Sequence, residues 1–136
     1  MGNIRSFKEL RVWQNAIDIT MTIFELTKSF PLEERYSLTD QIRRSSRSVA
    51  ANISEAWRKR RYPAAFISKL NDAESEAAET QTWIEIALRC GYWDKDVALK
   101  LDTRCEEVLS QLVAMASHPE KWTIHSNSSP SRSTRS

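Results

Sequence analysis

Apolar side chains return every three or four positions through most of the first 117 residues, the period of helices with one buried face. From Phe7 to Ser29, Leu10, Trp13, Ile17, Thr20, Phe24 and Thr27 alternate steps of three and four, and Ala16 and Ile23 widen the stripe. A first helix is predicted there, ending at Phe30-Pro31 because a residue before proline is pushed out of the helical region. A second helix is predicted from a Ser37 N-cap to about Arg60, with Asp40 facing the positive end of the dipole. Its stripe reads Leu38, Ile42, Ser45, Val49, Asn52, Ala56, so two polar residues take core-facing places. The third opens on Pro63, buries Phe66, Leu70, Ala73, Ala77, Thr80, Ile84 and Ala87, and stops at Gly91. The fourth runs from an Asp94 cap to about Ser117 along Val97, Leu101, Cys105, Val108, Leu112 and Met115.

Short connections make successive helices antiparallel neighbours. The expectation is all-α: an antiparallel up-down-up-down four-helix bundle over residues 1–117. From His118 the periodicity stops, and residues 118–136 read as a Ser-rich disordered tail. Two glycines and four prolines in 136 residues agree with long helices rather than a turn-rich sheet protein. No run of apolar residues is long enough to span a membrane, and Met1 to Leu10 lacks the apolar segment of a secretory signal. A cytoplasmic location is expected. Cys90 and Cys105 fall on neighbouring helices, offset by about 16 Å along the axis, so they are expected as free, semi-buried thiols.

Charge changes the picture most. Residues 35–61 hold Arg35, Arg43, Arg44, Arg47, Arg58, Lys59, Arg60 and Arg61 against Asp40 and Glu55, a local charge of +6 in a chain of +2. Such a concentration is what phosphates or an acidic partner would meet. Two structural explanations compete. Cations at a helix C-terminus complement its dipole, and the arginines could pair with the acids of the third helix, where residues 62–89 sum to −3. No helix-turn-helix spacing, zinc finger or RNA-recognition motif is present, so any nucleic-acid contact would be to the backbone and salt-sensitive.

Other chemistry finds little support. Asn52 on the apolar stripe, with Glu55 one turn on, predicts a buried polar network that sets helix register, Glu55 needing a cationic partner. Asp72, Glu76 and Glu79 share a face, but a di-metal bundle needs Glu-x-x-His pairs, and the only histidines are His118 and His125. Ser45, Ser46 and Ser48 have no histidine base in the folded part, and no glycine-rich phosphate loop exists. Neither an enzyme nor a bound metal or cofactor is expected. Trp57, among arginines, is the candidate for base stacking.

The segments FKELRVWQNAIDIT and FPLEERYSLTDQIRRSSRSVAANISEAWRKRR resemble the bacterial four-helix-bundle proteins found as reading frames in intervening sequences of 23S ribosomal RNA genes. KLNDAESEAAETQTWIEIALRCGYW resembles the third helix and following turn of one branch. The likeness covers roughly Phe7 to Ser117 and marks Glu34, Arg43, Arg44, Asn52, Glu55 and Glu79, among others; Ala56 stands where a glycine often follows Asn-Ile-x-Glu. It implies a homopentamer. The accessory variability determinants of diversity-generating retroelements are similar in fold, which implies a reverse transcriptase as partner and a basic surface that binds nucleic acid. The expected nucleic-acid contacts are Arg43, Arg44, Arg47, Arg58, Lys59, Arg60 and Arg61, with Asn52, Glu55 and Glu79 as the structural polar network. The rival expectation is a homo-oligomeric protein-interaction scaffold in which those arginines are consumed between subunits.

Overall fold

A computed structural model of the chain describes residues 4–124. Four α-helices carry the fold, α1 (Arg11–Leu26), α2 (Leu38–Arg58), α3 (Pro63–Arg89) and α4 (Lys95–Ser117), and the described residues contain no strand. Each helix packs on its chain neighbours, and α1 also packs on α4. Side-chain hydrogen bonds show the directions. Trp13 pairs with Ser54 and Arg43 with Thr27, so α1 and α2 run antiparallel. Ser45 meets Thr80 while Glu55 meets Lys69, so α2 and α3 do the same. Asn15 meets Gln111 and Arg104 meets Thr22, closing the bundle between α1 and α4.

The third helix buries Phe66, Leu70, Ala73, Ala77, Thr80, Ile84 and Ala87, the stripe read from the sequence. Its end is a Schellman turn. Gly91 takes φ +79°, its N–H donates to the Leu88 carbonyl, and the Tyr92 N–H reaches the Ala87 carbonyl. The Asp94 carboxylate accepts from the Val97 N–H at 2.9 Å and starts α4. On α4, Ala98 rather than Val97 is fully buried.

The first helix is shorter than predicted. Phe7–Glu9 and Thr27–Ser29 are 3-10 turns, and extended Leu10 separates the first from α1. Ser37 precedes α2 but its side chain caps nothing. Glu34 does so instead: one carboxylate oxygen accepts from the Leu38 N–H at 3.1 Å, and the other accepts from the Tyr92 hydroxyl at 2.7 Å. Phe30 lies 5.1 Å from the Tyr92 ring and 5.2 Å from the Trp93 ring, so the α1–α2 connection is seated on the α3–α4 turn.

The folded unit also passes the expected boundary at Ser117. Pro119–Lys121 forms a 3-10 turn, Trp122 packs against the core, and the Ile124 N–H donates to the Arg60 carbonyl at 2.9 Å. A single indole can bury apolar area and a backbone N–H can bond without continuing a helical period, which is why periodicity missed this segment. The Ser-rich stretch 126–136 lies outside the described residues. Cys105 is buried and Cys90 exposed, both free thiols, and burial pushes the Cys105 thiol up to about 12.

Candidate functional site

The second helix is positioned by two adjacent serines and a row of aliphatic side chains. Ile42 and Ile53 are fully buried, with Leu38, Val49, Ala56 and Trp57 nearly so. These positions advance with the 3.6-residue period of a straight helix, whereas a strict seven-residue repeat drifts about 20° per heptad against it. The drift moves the core from Asn52 to Ile53. Asn52 is half-buried and donates to the Ser48 carbonyl at 2.9 Å, a bond within its own helix. The expected polar trio therefore does not meet within the protomer. Glu55 is exposed and pairs with Lys69 at 2.9 Å, while Glu79 is exposed and accepts from the Trp83 indole N–H at 3.1 Å. The buried polar pairs are others: Ser45 with Thr80 at 2.8 Å and Ser46 with Thr20 at 2.9 Å.

The basic residues fall into two clusters at opposite ends of α2, about 20 Å apart from Arg44 to Arg58 at 1.5 Å per residue. At the first end, Lys28, Arg35, Arg43, Arg44 and Arg47 surround an open groove of about 340 Å³ that holds one carboxylate, Asp40. Arg43 is committed to the fold. Its Nε donates to the Thr27 hydroxyl at 2.8 Å, an Nη donates to the Phe24 carbonyl at 3.3 Å, and its guanidinium lies 4.8 Å from the Phe24 ring. It thereby satisfies the carbonyl end of α1, where a cation is favoured. Lys28 pairs with Glu25 at 3.2 Å, and Arg44 reaches Asp40 only at 4.0 Å. Arg35 and Arg47 are exposed and make no ion pair among the described residues.

At the second end, Arg58, Arg60, Arg61, Tyr62, Trp57 and Ile124 line an open hollow of about 420 Å³. Trp57 is buried, so it offers no face to a base. Arg60 covers it: the guanidinium lies 3.4 Å from the ring centroid, and its Nε donates to the Trp57 carbonyl at 2.8 Å. Partial burial lowers the Arg60 pKa. Arg58, Lys59 and Arg61 are exposed and without an ion pair among the described residues.

The expected pairing of α2 arginines with α3 carboxylates is not made within the protomer. The one ion pair between these helices has the opposite sense, with the acid Glu55 on α2 and the base Lys69 on α3. Lys69 also reaches Asp72 at 3.6 Å, and Glu55 first, then Asp72, hold its pKa above the usual lysine value. Glu76 feels Arg44 only at a distance. Burial and the Glu79 charge raise its pKa, and Arg44 partly offsets them. Sequence reasoning missed that Lys28, from the 3-10 turn after α1, joins Arg35 and the α2 cations, because only the folded turn brings them together.

The fold and its charge define an all-α four-helix protein with a basic second helix. The family of the 23S rRNA-intervening sequence protein matches residues 8–114, and the chain belongs to that family. Its structure is similar to the crystal structure, at 1.70 Å resolution, of a protein with unknown function from the S23 ribosomal protein family of Bacteroides thetaiotaomicron VPI-5482. The two share 30% identity with a TM-score of 0.70, over 77% of this chain and 97% of that one. No curated protein matches the chain. Among the described residues, no helix is long and apolar enough to cross a membrane, and no three His, Cys, Asp or Glu side chains gather to hold a metal ion.

Proposed function

We propose that the protein is a non-enzymatic, cytoplasmic bundle that assembles with copies of itself and binds RNA or DNA through the phosphate backbone without reading sequence. One observation carries this reading: Arg47, Arg58, Lys59 and Arg61 stand exposed with no carboxylate partner among the described residues. Cations held for pairing within the fold would be found against acids, as Lys69 is. Unpaired guanidinium and ammonium groups can release counterions from a phosphate chain, which is the main source of non-specific affinity. Assembly into a pentamer, inferred from the family resemblance, would repeat each cluster five times. Partnership with a reverse transcriptase is the corresponding reading of its cellular role, by analogy of fold.

A protein-interaction scaffold is the second reading, and the exposed acids of α3 favour it. Glu79 and Asp72 stand on the outside of the protomer, where arginines of another copy could reach them. A gel-shift titration of structured RNA and duplex DNA at about 50 mM salt separates the two, since backbone contacts are strongest there. Retardation that weakens when Arg58, Lys59 and Arg61 are replaced by Ala supports nucleic-acid binding. An oligomer that retards neither probe supports the scaffold.

A further inference from the structure

Tyr36 and Tyr62 are the exposed Phe, Trp or Tyr rings among the described residues, at 86% and 62% exposure. Each directly follows an arginine, as Arg35-Tyr36 and Arg61-Tyr62, and together they bracket α2. Each therefore stands at one of the two basic clusters. The Arg35 guanidinium, which lines the first groove, lies 5.9 Å from the Tyr36 ring. Tyr62 lines the second hollow beside Arg58 and Arg61. Neither hydroxyl makes a hydrogen bond among the described residues, in contrast to Tyr92, which donates to Glu34. All five tryptophans are buried or half-buried, so the two rings that stand exposed to solvent are those at the cationic ends of one helix.

We propose that this surface takes single-stranded nucleic acid in preference to duplex, with unpaired bases stacking on Tyr36 and Tyr62 while the adjacent cations hold phosphates. The inference rests on the nucleic-acid reading above and narrows it. A duplex keeps its base faces inside its own stack, so phosphate contact alone leaves these two rings idle. A single strand offers a π-face at every nucleotide, and an aromatic ring beside cations is the usual platform for one. Non-specific binding follows, because every base has such a face.

The test is fluorescence anisotropy at one fixed ionic strength with three labelled probes: an oligouridylate, a duplex of mixed sequence, and an abasic strand that keeps phosphates and lacks bases. The oligouridylate is expected to bind most tightly of the three. Tyr36→Ala and Tyr62→Ala are each expected to weaken oligouridylate binding about tenfold and to leave duplex and abasic binding unchanged. Tyr36→Phe and Tyr62→Phe keep the ring and are expected to retain wild-type affinity. Both side chains are exposed and make no hydrogen bond, so these variants keep the fold. Equal binding of oligouridylate and abasic strand, or unchanged oligouridylate affinity in the Ala variants, overturns the stacking proposal and leaves backbone binding intact. Failure of all three probes to bind overturns both.

Discussion

Ser45 and Ser46 are consecutive on α2 and bond in different directions, Ser45 to Thr80 of α3 at 2.8 Å and Ser46 to Thr20 of α1 at 2.9 Å. All four residues are buried, so the middle of the bundle is joined by hydroxyls where a purely aliphatic layer would leave helix register looser. Thr80 donates to the Glu76 carbonyl at 2.9 Å, which makes Ser45 the donor of the pair. Replacing Thr80 by Val is therefore expected to cost more than replacing Ser45 by Ala. The first leaves a buried Ser45 hydroxyl with only a 3.4 Å contact to the Ile42 carbonyl and is expected to cost about 1–3 kcal/mol. The second strands no donor and costs about 1 kcal/mol. Urea denaturation of both variants gives the ranking.

The Glu34–Tyr92 bond makes stability depend on pH at both ends. The Tyr92 hydroxyl and the Leu38 N–H lower the Glu34 pKa, so its contribution is present above the unfolded carboxylate pKa, about 4.3, and is lost as pH falls through the lower folded value. Glu34 raises the Tyr92 pKa, so that contribution is present below about pH 10 and is lost as pH rises beyond it. The stability advantage of wild type over Glu34→Gln is expected to be full near neutrality and to shrink in acid. The advantage over Tyr92→Phe is expected to shrink in alkali. Melting curves across the pH range measure both.

The basic residues divide into two kinds. Arg43 and Arg60 are bound into the fold, through Thr27 and Phe24 in one case and Trp57 in the other. Replacing either by Ala is expected to lower stability by about 1–2 kcal/mol. Arg47→Ala and Arg61→Ala are expected to change stability by less than about 0.5 kcal/mol and to weaken nucleic-acid binding. Thermal melts and gel shifts on the same four proteins check the division.

Gly91 is the position where the α3–α4 turn needs a left-handed residue, at φ +79°. A Cβ there meets nothing within 4 Å, so Gly91→Ala is expected to cost about 1–2 kcal/mol from backbone conformation alone. Gly91→Asn is expected to cost less, because Asn tolerates that region. Denaturant midpoints decide between backbone strain and crowding.

Much of the bundle was legible in the sequence. The α3 stripe is legible because 27 residues hold one buried face, and the Gly91 and Asp94 signals end α3 and start α4 by local chemistry alone. The α2 core was misplaced because a heptad reading and a straight helix part company by its last turns, where Asn52 and Ile53 are neighbours. Ser37 looked like the cap, but a cap depends on which oxygen reaches the free N–H, and Glu34 reaches Leu38. The basic stretch was visible as composition. Its division into bound arginines and free ones was not, because Arg60 stacks on Trp57 only where α2 ends, and Arg43 meets Thr27 only through antiparallel packing.

The central claim is that the exposed cations at the two ends of α2 meet phosphates, and the salt dependence of affinity tests it most directly. For wild type, the logarithm of the association constant is expected to fall linearly with the logarithm of salt concentration. In a variant with Arg44, Arg47, Arg58, Lys59 and Arg61 replaced by Ala, the line is expected to flatten by about one unit of slope for each cation that touches a phosphate. No binding at about 50 mM salt, or the same slope in both proteins, would contradict the account.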